Sequence, residues 1–317
     1  MHRLLTSEPR LLALAVGVGI LTWAYWPNLE VLYATWSTEP NYSHGKLVVP
    51  IAIAIFWQRL LDSKAGWRGG SVPWWSFVVL LLVLAARAFA YEQNTQWLET
   101  ATLVPAVAAL MFTIGGWPLL ERGWPAAVFL FFMLPLPRAA NNLISLPLQT
   151  IATLGSVFAM QLTGLRTYNE GNVITLPDNP VDARTLEVAL ACNGLSMLMT
   201  LAATVTATIM LIPMANWKRI IIFLSAVPIA LLSNIIRIVA TGWCYSIVRS
   251  EHAKQLAHDY SGYLMMPLAL VLVGLEVLIL SWLAGPEKNP ESDRIVLAVI
   301  PQAGGGKGAT KMLADEL

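Results

Sequence analysis

The stretch Ile220–Val248 reads IIIFLSAVPIALLSNIIRIVATGWCYSIV and carries a single charge, Arg237. A helix needs about 20 mainly apolar residues to cross the hydrocarbon core of a bilayer, so this run predicts a membrane span. An ionisable residue inside a span costs about 2.5–3.5 kcal/mol on insertion scales and usually has a function. Asn234 and Ser233 precede Arg237 by three and four residues, on the same helical face. At 1.5 Å per residue Arg237 lies about 12–16 Å below the outer end of the run. Either the helix ends early, near Thr241 and Gly242, or a polar cavity reaches down to the guanidinium.

Working outward, the same reading gives Leu11–Asn28, Leu47–Leu61, Val72–Ala90, Ala101–Leu120, Pro125–Pro137, Val188–Trp217 and Tyr260–Leu283 as further apolar runs. The expected fold class is all-α, a polytopic transmembrane bundle of about eight spans. Of the 13 Trp residues, Trp26, Trp57, Trp74, Trp117, Trp124, Trp217, Trp243 and Trp282 lie near run ends, as an interfacial aromatic belt requires. Arg3, Arg10, Arg59, Lys64, Arg68, Arg122, Lys218, Arg219, Lys288 and Arg294 all fall on one side of such a bundle, which the positive-inside rule makes the cytoplasm. Both termini are then cytoplasmic. The expected organisation is a membrane domain over 1–286, with an outer loop over about 166–186, and a flexible polar cytoplasmic tail over 287–317. Ala139–Leu165 breaks the charge alternation and holds Asn141, Asn142, Ser145, Pro147, Gln149 and Gln161, so it is expected to be interfacial or re-entrant on the outer face. The loop after it is expected to be partly β, over Gly171–Leu176.

Composition agrees. Of the 317 residues, 56% are hydrophobic and 12% charged, against about 25% charged in a soluble domain. A net charge of +1 supplies no basic field for nucleic acid. Two cysteines, Cys192 and Cys244, make no disulfide framework. There is no CxxC, HExxH or Cys/His cluster, so no metal site is expected. Met1–Asn28 has the basic lead of a signal peptide without its small-residue cleavage site, and reads as a retained span. Gly304–Lys311 (GGGKGATK) fails the P-loop pattern because Gly308 follows Lys307.

Cys192 stands at the outer start of the sixth run, in Glu187-Val-Ala-Leu-Ala-Cys192-Asn193-Gly194-Leu-Ser196. A cysteine in an apolar run is by itself most often a small hydrophobe. Here Asn193 and Gly194 are costly choices for a bilayer helix unless a polar group or a close backbone approach is needed, and Glu187 adds a carboxylate at the mouth. His258 lies in the predicted outer loop Arg249–Ser261, on the same face. His44 opens the second span from that face. Cys244, His2 and His252 carry no such signal, and Glu276 reads as a bundle residue. A thiol with pKa about 8.5 becomes a nucleophile when a cation lowers that pKa. Imidazole shuttles the proton, and Arg stabilises a developing negative charge.

Taken together these residues resemble the exosortase/archaeosortase family, multi-pass membrane cysteine enzymes that process proteins bearing a C-terminal sorting signal. The resemblance runs from about Tyr42 to Met266. It rests on Tyr42-Ser-His-Gly45, Leu134-Pro-Leu-Pro137 with Leu146-Pro-Leu-Gln149, Glu170-Gly-Asn-Val-Ile174, Cys192-x-Gly194-Leu195, Asn234-x-x-Arg237, and His258 followed by Gly262. It implies a catalytic Cys192, Arg237 and His258, with Asn234, Asn193, Gly194, Glu187 and His44 in supporting or substrate-binding roles. Asn193 departs from the Ser more often found there, and the tail is too short for the extra C-terminal domain of some members. The implied substrates are exported proteins with a short motif such as Pro-Glu-Pro, a transmembrane helix and a basic tail (the PEP-CTERM arrangement). The implied reaction is cleavage at the outer face of the cytoplasmic membrane, by hydrolysis or by transfer to an acceptor, in bacteria often linked to exopolysaccharide. No metal or organic cofactor is implied, and the bilayer is the other partner. Two rival readings stand beside it. One is a transporter or channel that binds an anion at Arg237, with Pro213, Pro228 and Pro267 marking broken helices, although no inverted repeat is visible. The other is a non-catalytic scaffold of an export complex.

Overall fold

The computed structural model describes residues 8–61, 71–179, 185–187, 194–247 and 251–284, with side chains for all of these except 8–11, 40, 187, 251–266 and 284. Residues Met1–Gly274 form one compact unit and Leu275–Leu317 a second. Among the described residues the helices are α1 (Glu8–Ala24), α2 (Trp26–Thr38), α3 (Gly45–Leu61), α4 (Trp75–Glu92), α5 (Gln96–Ala101), α6 (Leu103–Phe129), α7 (Arg138–Leu162), α8 (Leu195–Leu211), α9 (Asn216–Ile247) and α10 (Glu251–Ala284). Three short strands, β1 (Tyr168–Glu170), β2 (Val173–Thr175) and β3 (Thr185–Glu187), lie between α7 and α8. Of the second unit, Leu275–Ala284 is described, as the last turns of α10.

The architecture is an all-α membrane bundle, as expected, but helix length does not carry eight spans. Among the described residues four helical segments are long and apolar enough to cross a membrane, or up to five if the bent pair α1–α2 is one span. That pair is bent by 74°. The bend falls at Tyr25, and Pro27 opens α2, where its missing N–H ends the ladder of α1. α8 and Pro267–Leu283 are apolar but shorter.

The segment Gln96–Met133 passes as one span of 38 residues, yet it folds back on itself. Gly116 has φ 64° and ψ −161°, a conformation open essentially to glycine alone. A Cβ on Gly123 would strike Met111, whereas residues twelve apart in a straight helix are separated by about 18 Å. At the other end of the hairpin, the Trp97 indole N–H donates to the Pro135 carbonyl at 2.6 Å. The expected spans Ala101–Leu120 and Pro125–Pro137 are therefore two antiparallel arms. Their turn is at Gly116 and not beside Arg122, because only a glycine accepts the reversal.

This hairpin defines two ends of the bundle. The Gly116 end also holds the C-terminus of α3 and that of α8, joined by Gln58 Nε2 donating to the Leu211 carbonyl at 2.9 Å. The Tyr42 end holds the α1–α2 bend, the turn at Pro40–Tyr42 and the segment Phe131–Pro137. There the Tyr42 hydroxyl accepts the Leu136 N–H at 3.3 Å.

α7 inverts the pattern of a water-soluble helix. Ser145, Gln149, Thr153 and Ser156 are buried with Ala152, Val157 and Met160, while Leu143, Leu146, Ile151, Leu154, Phe158 and Leu162 face outward. Polar side chains turned inward against protein and apolar ones outward are what a lipid surround selects. By length and composition α7 is a candidate span, a third placement beside the expected interfacial or re-entrant one for Ala139–Leu165. Its C-terminal half packs along α9, with Gly155 against Ile235 and Met160 against Gly242. The β-sheet follows, antiparallel in the order β1-β2-β3. It starts before and ends after the expected Gly171–Leu176. Ile174, Leu176 and Leu186 close a second core with Val157, Met160 and Ile238, so the upper turns of α9 are covered by the sheet.

Candidate functional site

Gly194 is the N-cap of α8 and has φ 82°, the left-handed region in which a Cβ costs about 1–2 kcal/mol. It is buried, and the position a Cβ would take lies 3.4 Å from Asn234 Nδ2 and 3.6 Å from its Cγ. Asn234 is 2% exposed and makes polar contacts of its own. The start of α8 and the middle of α9 thus meet where the sequence places Gly194 and Asn234.

One turn further along α9, Arg237 is half-buried, and its Nε is buried without a hydrogen-bond partner. A guanidinium carries five donors, and a buried donor left unsatisfied costs about 1–3 kcal/mol. Spare donor capacity of this kind suits a carbonyl or an oxyanion. Two hydroxyls on the facing helices, Ser233 of α9 and Ser156 of α7, are fully buried and likewise lack partners.

The depth of Arg237 has a different resolution from the two expected. α9 does not end near Thr241; it is helical for 32 residues, to Ile247. At 1.5 Å per residue it is about 48 Å long, well beyond a hydrocarbon core of about 30 Å. Measured from Asn216, Arg237 stands about 32 Å up the helix, near the far boundary of such a core. The turns beyond it are covered by the second core.

Cys192 and Asn193 lie outside the described residues. Glu187 ends β3, where it pairs with Val173; its side chain is outside the description. His258 falls within α10, which begins at Glu251, so the expected loop Arg249–Ser261 is helical from that point. Its side chain is also outside the description. The described residues therefore bring Gly194, Asn234 and Arg237 together and leave the thiol and the imidazole unplaced.

His44 is not a free polar marker. It is 6% exposed, and its Nε2 meets the Phe132 carbonyl at 3.1 Å. A carbonyl only accepts, so Nε2 carries the proton and Nδ1, which is buried and unpartnered, is the bare nitrogen. Burial holds the imidazole below its ordinary pKa, and the Phe132 carbonyl offsets part of that shift. The neighbouring residues complete a clamp. Trp36 Nε1 donates to the Met133 carbonyl at 2.9 Å, and Gly45 leaves the space that the Trp36 indole fills. With Tyr42 on the Leu136 N–H and Trp97 on the Pro135 carbonyl, side chains satisfy backbone groups of Phe132–Leu136 at and beyond the end of the 3-10 turn Leu130–Met133. Tyr42-Ser-His-Gly45 and Leu134-Pro-Leu-Pro137, far apart in sequence, are thus two halves of one structure.

Sequence reasoning missed a half-buried ion pair. Arg87 of α4 donates to the Ala24 carbonyl at 2.7 Å, pairs with Glu99 at 3.3 Å and lies over the Tyr25 ring, 4.0 Å from its centroid. Tyr25 is bonded to Thr102 at 2.8 Å. The signal available was an Arg in the last turn of an apolar run and a Glu just past the following turn.

Searches of curated proteins and of solved structures each return no match. A family model described as transmembrane exosortase (Exosortase_EpsH) matches residues 36–275. The match takes in Trp36 and the Tyr42 clamp, the Gly116 hairpin, α7 with its sheet, and the meeting of α8 with α9. By that match over most of its length, the chain belongs to the transmembrane exosortase family.

Proposed function

We propose that this membrane sorting enzyme is a cysteine peptidase or transpeptidase that cleaves the C-terminal sorting signal of exported proteins at the extracytoplasmic face. Cys192 is the nucleophile, His258 the general base and then acid, and Arg237, oriented by Asn234, the stabiliser of negative charge. The observation that carries this reading is the contact of Gly194 with Asn234, one turn from a guanidinium with an unused buried donor. Chain connectivity supports it, because two residues span at most about 7 Å, which keeps Cys192 close to Gly194.

The substrate helix enters laterally between spans, and its motif meets the Tyr42 end. The Cys192 thiolate attacks the scissile carbonyl carbon, and Arg237 faces the oxygen that becomes negative. The C–N bond breaks, the leaving amine takes a proton from the His258 imidazolium, and a thioester remains. Water, an amine or a hydroxyl resolves it and regenerates the thiol. Asn193 and Glu187 flank the nucleophile and contact the substrate motif. The bundle sits in the cytoplasmic membrane with the Gly116 end inside, both termini cytoplasmic and about eight crossings, a count supported by the two arms of the Gly116 hairpin. The acceptor is water or an exopolysaccharide-linked group.

The test is labelling of Cys192 by a membrane-impermeant thiol reagent across pH, in a Cys244→Ser background. An apparent pKa well below about 8.5, lost in both Arg237→Ala and His258→Ala, is expected. Cys192→Ala should abolish processing of a signal-bearing substrate. A thiol indifferent to both changes, with Cys192→Ala still processing, would sink the reading.

A further inference from the structure

The Gly116 end gathers basic side chains from three elements: Arg59 in the last turn of α3, Arg122 in the second arm of α6, and Lys218 and Arg219 in the first turn of α9. Two contacts place these elements: α3 lies beside α6, and its end meets the end of α8. Phe56 Cε2 lies 3.2 Å from the position a Cβ on Gly123 would take, which sets Arg59 and Arg122 on neighbouring helices. Gln58 bonds the Leu211 carbonyl. Only the short link after Leu211 then separates α8 from α9, whose Arg219 N–H donates to the Ala215 carbonyl at 3.2 Å.

Each of the three arginines buries a guanidinium nitrogen with no hydrogen-bond partner: Nε of Arg59, Nη1 of Arg122 and Nε of Arg219. Among the described side chains of the compact unit, the acid at this end is Glu121, which is exposed. Buried donors on permanently charged groups call for anionic oxygens. The surroundings say where those oxygens come from. Trp57, Trp117, Trp124 and Trp217 are 59%, 63%, 50% and 45% exposed around this end, and amphipathic rings of this kind sit at headgroup depth. Leu61 and Ile220 beside them expose apolar side chains, as acyl chains require.

We infer that Arg59 and Arg122 form a binding site for the phosphate of an anionic phospholipid in the leaflet at the Gly116 end, between α3 and α6. Arginine forks match phosphate oxygens, and basic clefts between transmembrane helices are a general way of holding acidic headgroups. The inference does not depend on the enzymatic reading, since it concerns the opposite end of the bundle and is read by binding.

The experiment is a thermal-unfolding titration of the delipidated full chain in neutral detergent with phosphatidylglycerol, phosphatidylcholine and inorganic phosphate. Phosphatidylglycerol is expected to raise the midpoint saturably, and the other two to leave it unchanged. Arg59→Gln and Arg122→Gln should each weaken the phosphatidylglycerol response by about tenfold, the loss of one charge-assisted bond. The corresponding Lys variants, which keep the charge without the fork, should fall between. Arg138→Gln, exposed at the other end, should bind as wild type. Equal responses to phosphatidylglycerol and phosphatidylcholine overturn the site in the wild-type chain alone, whatever the variants do. An equal response to inorganic phosphate overturns the lipid as its source, and an equal loss in Arg138→Gln overturns its place.

Discussion

Gly194 and Asn234 show how little room the candidate site leaves. A Cβ on Gly194 would need a left-handed φ and would press on the Asn234 amide at 3.4 Å. Gly194→Ala should therefore cost about 1–2 kcal/mol of stability and displace Asn234. The expected outcome is a larger loss in substrate processing than the fall in unfolding midpoint accounts for; equal losses would leave Gly194 a purely structural residue. His44 makes a different prediction. Its folded pKa is depressed, so the native state favours neutral imidazole. Its contribution is complete above the unfolded value of 6.5 and is lost as pH falls below it, because the unfolded chain then binds more protons. The unfolding midpoint should drop on acidification from about pH 7 to about pH 5. His44→Gln, whose amide can still donate to the Phe132 carbonyl, should flatten that dependence.

At the scale of elements, the α1–α2 bend, α4 and α5 are held by the Arg87–Glu99 pair, whose side chains are 21% and 13% exposed. Removing one member leaves the other charge half-buried and unpaired, which costs less than the roughly 3–5 kcal/mol of a fully buried pair. Arg87→Met and Glu99→Gln should each lower the unfolding midpoint. The double variant should be less destabilised than the sum, and additive losses would mean that the two side chains act separately. The α6 hairpin and α7 show why element boundaries were only partly legible. Length and apolar content are read along the chain, whereas the reversal at Gly116 is a backbone event on one residue among many glycines. For α7 the composition was read correctly, but whether Ser145, Gln149 and Thr153 turn toward water or toward protein depends on what packs against them.

For the whole molecule, the two ends of the bundle should lie on opposite sides of the membrane. In a background lacking Cys192 and Cys244, a cysteine at exposed Trp117 should be reached by an impermeant reagent only in inverted vesicles. A cysteine at exposed Tyr168 should be reached only in right-side-out ones. Labelling of both from one side would overturn the orientation. The positive-inside rule predicts this sidedness from the sequence, because with Ala139–Leu165 left out of the spans the basic residues of the Gly116 end fall on one side.

Composition and motif order were enough for the solvent and the family: a chain this apolar, punctuated by Trp, belongs in a bilayer, and its ordered motifs mark a transmembrane exosortase. The sequence also marked Asn234, Arg237 and Gly194, since polar groups and glycines are costly in hydrocarbon and stand out there. Long-range packing settles that His44 belongs to the clamp on Phe132–Leu136 and that Arg87 pairs with Glu99. These contacts join partners between 12 and 97 residues apart along the chain, and hydrogen bonds and ion pairs act over distances that periodicity along one segment does not encode.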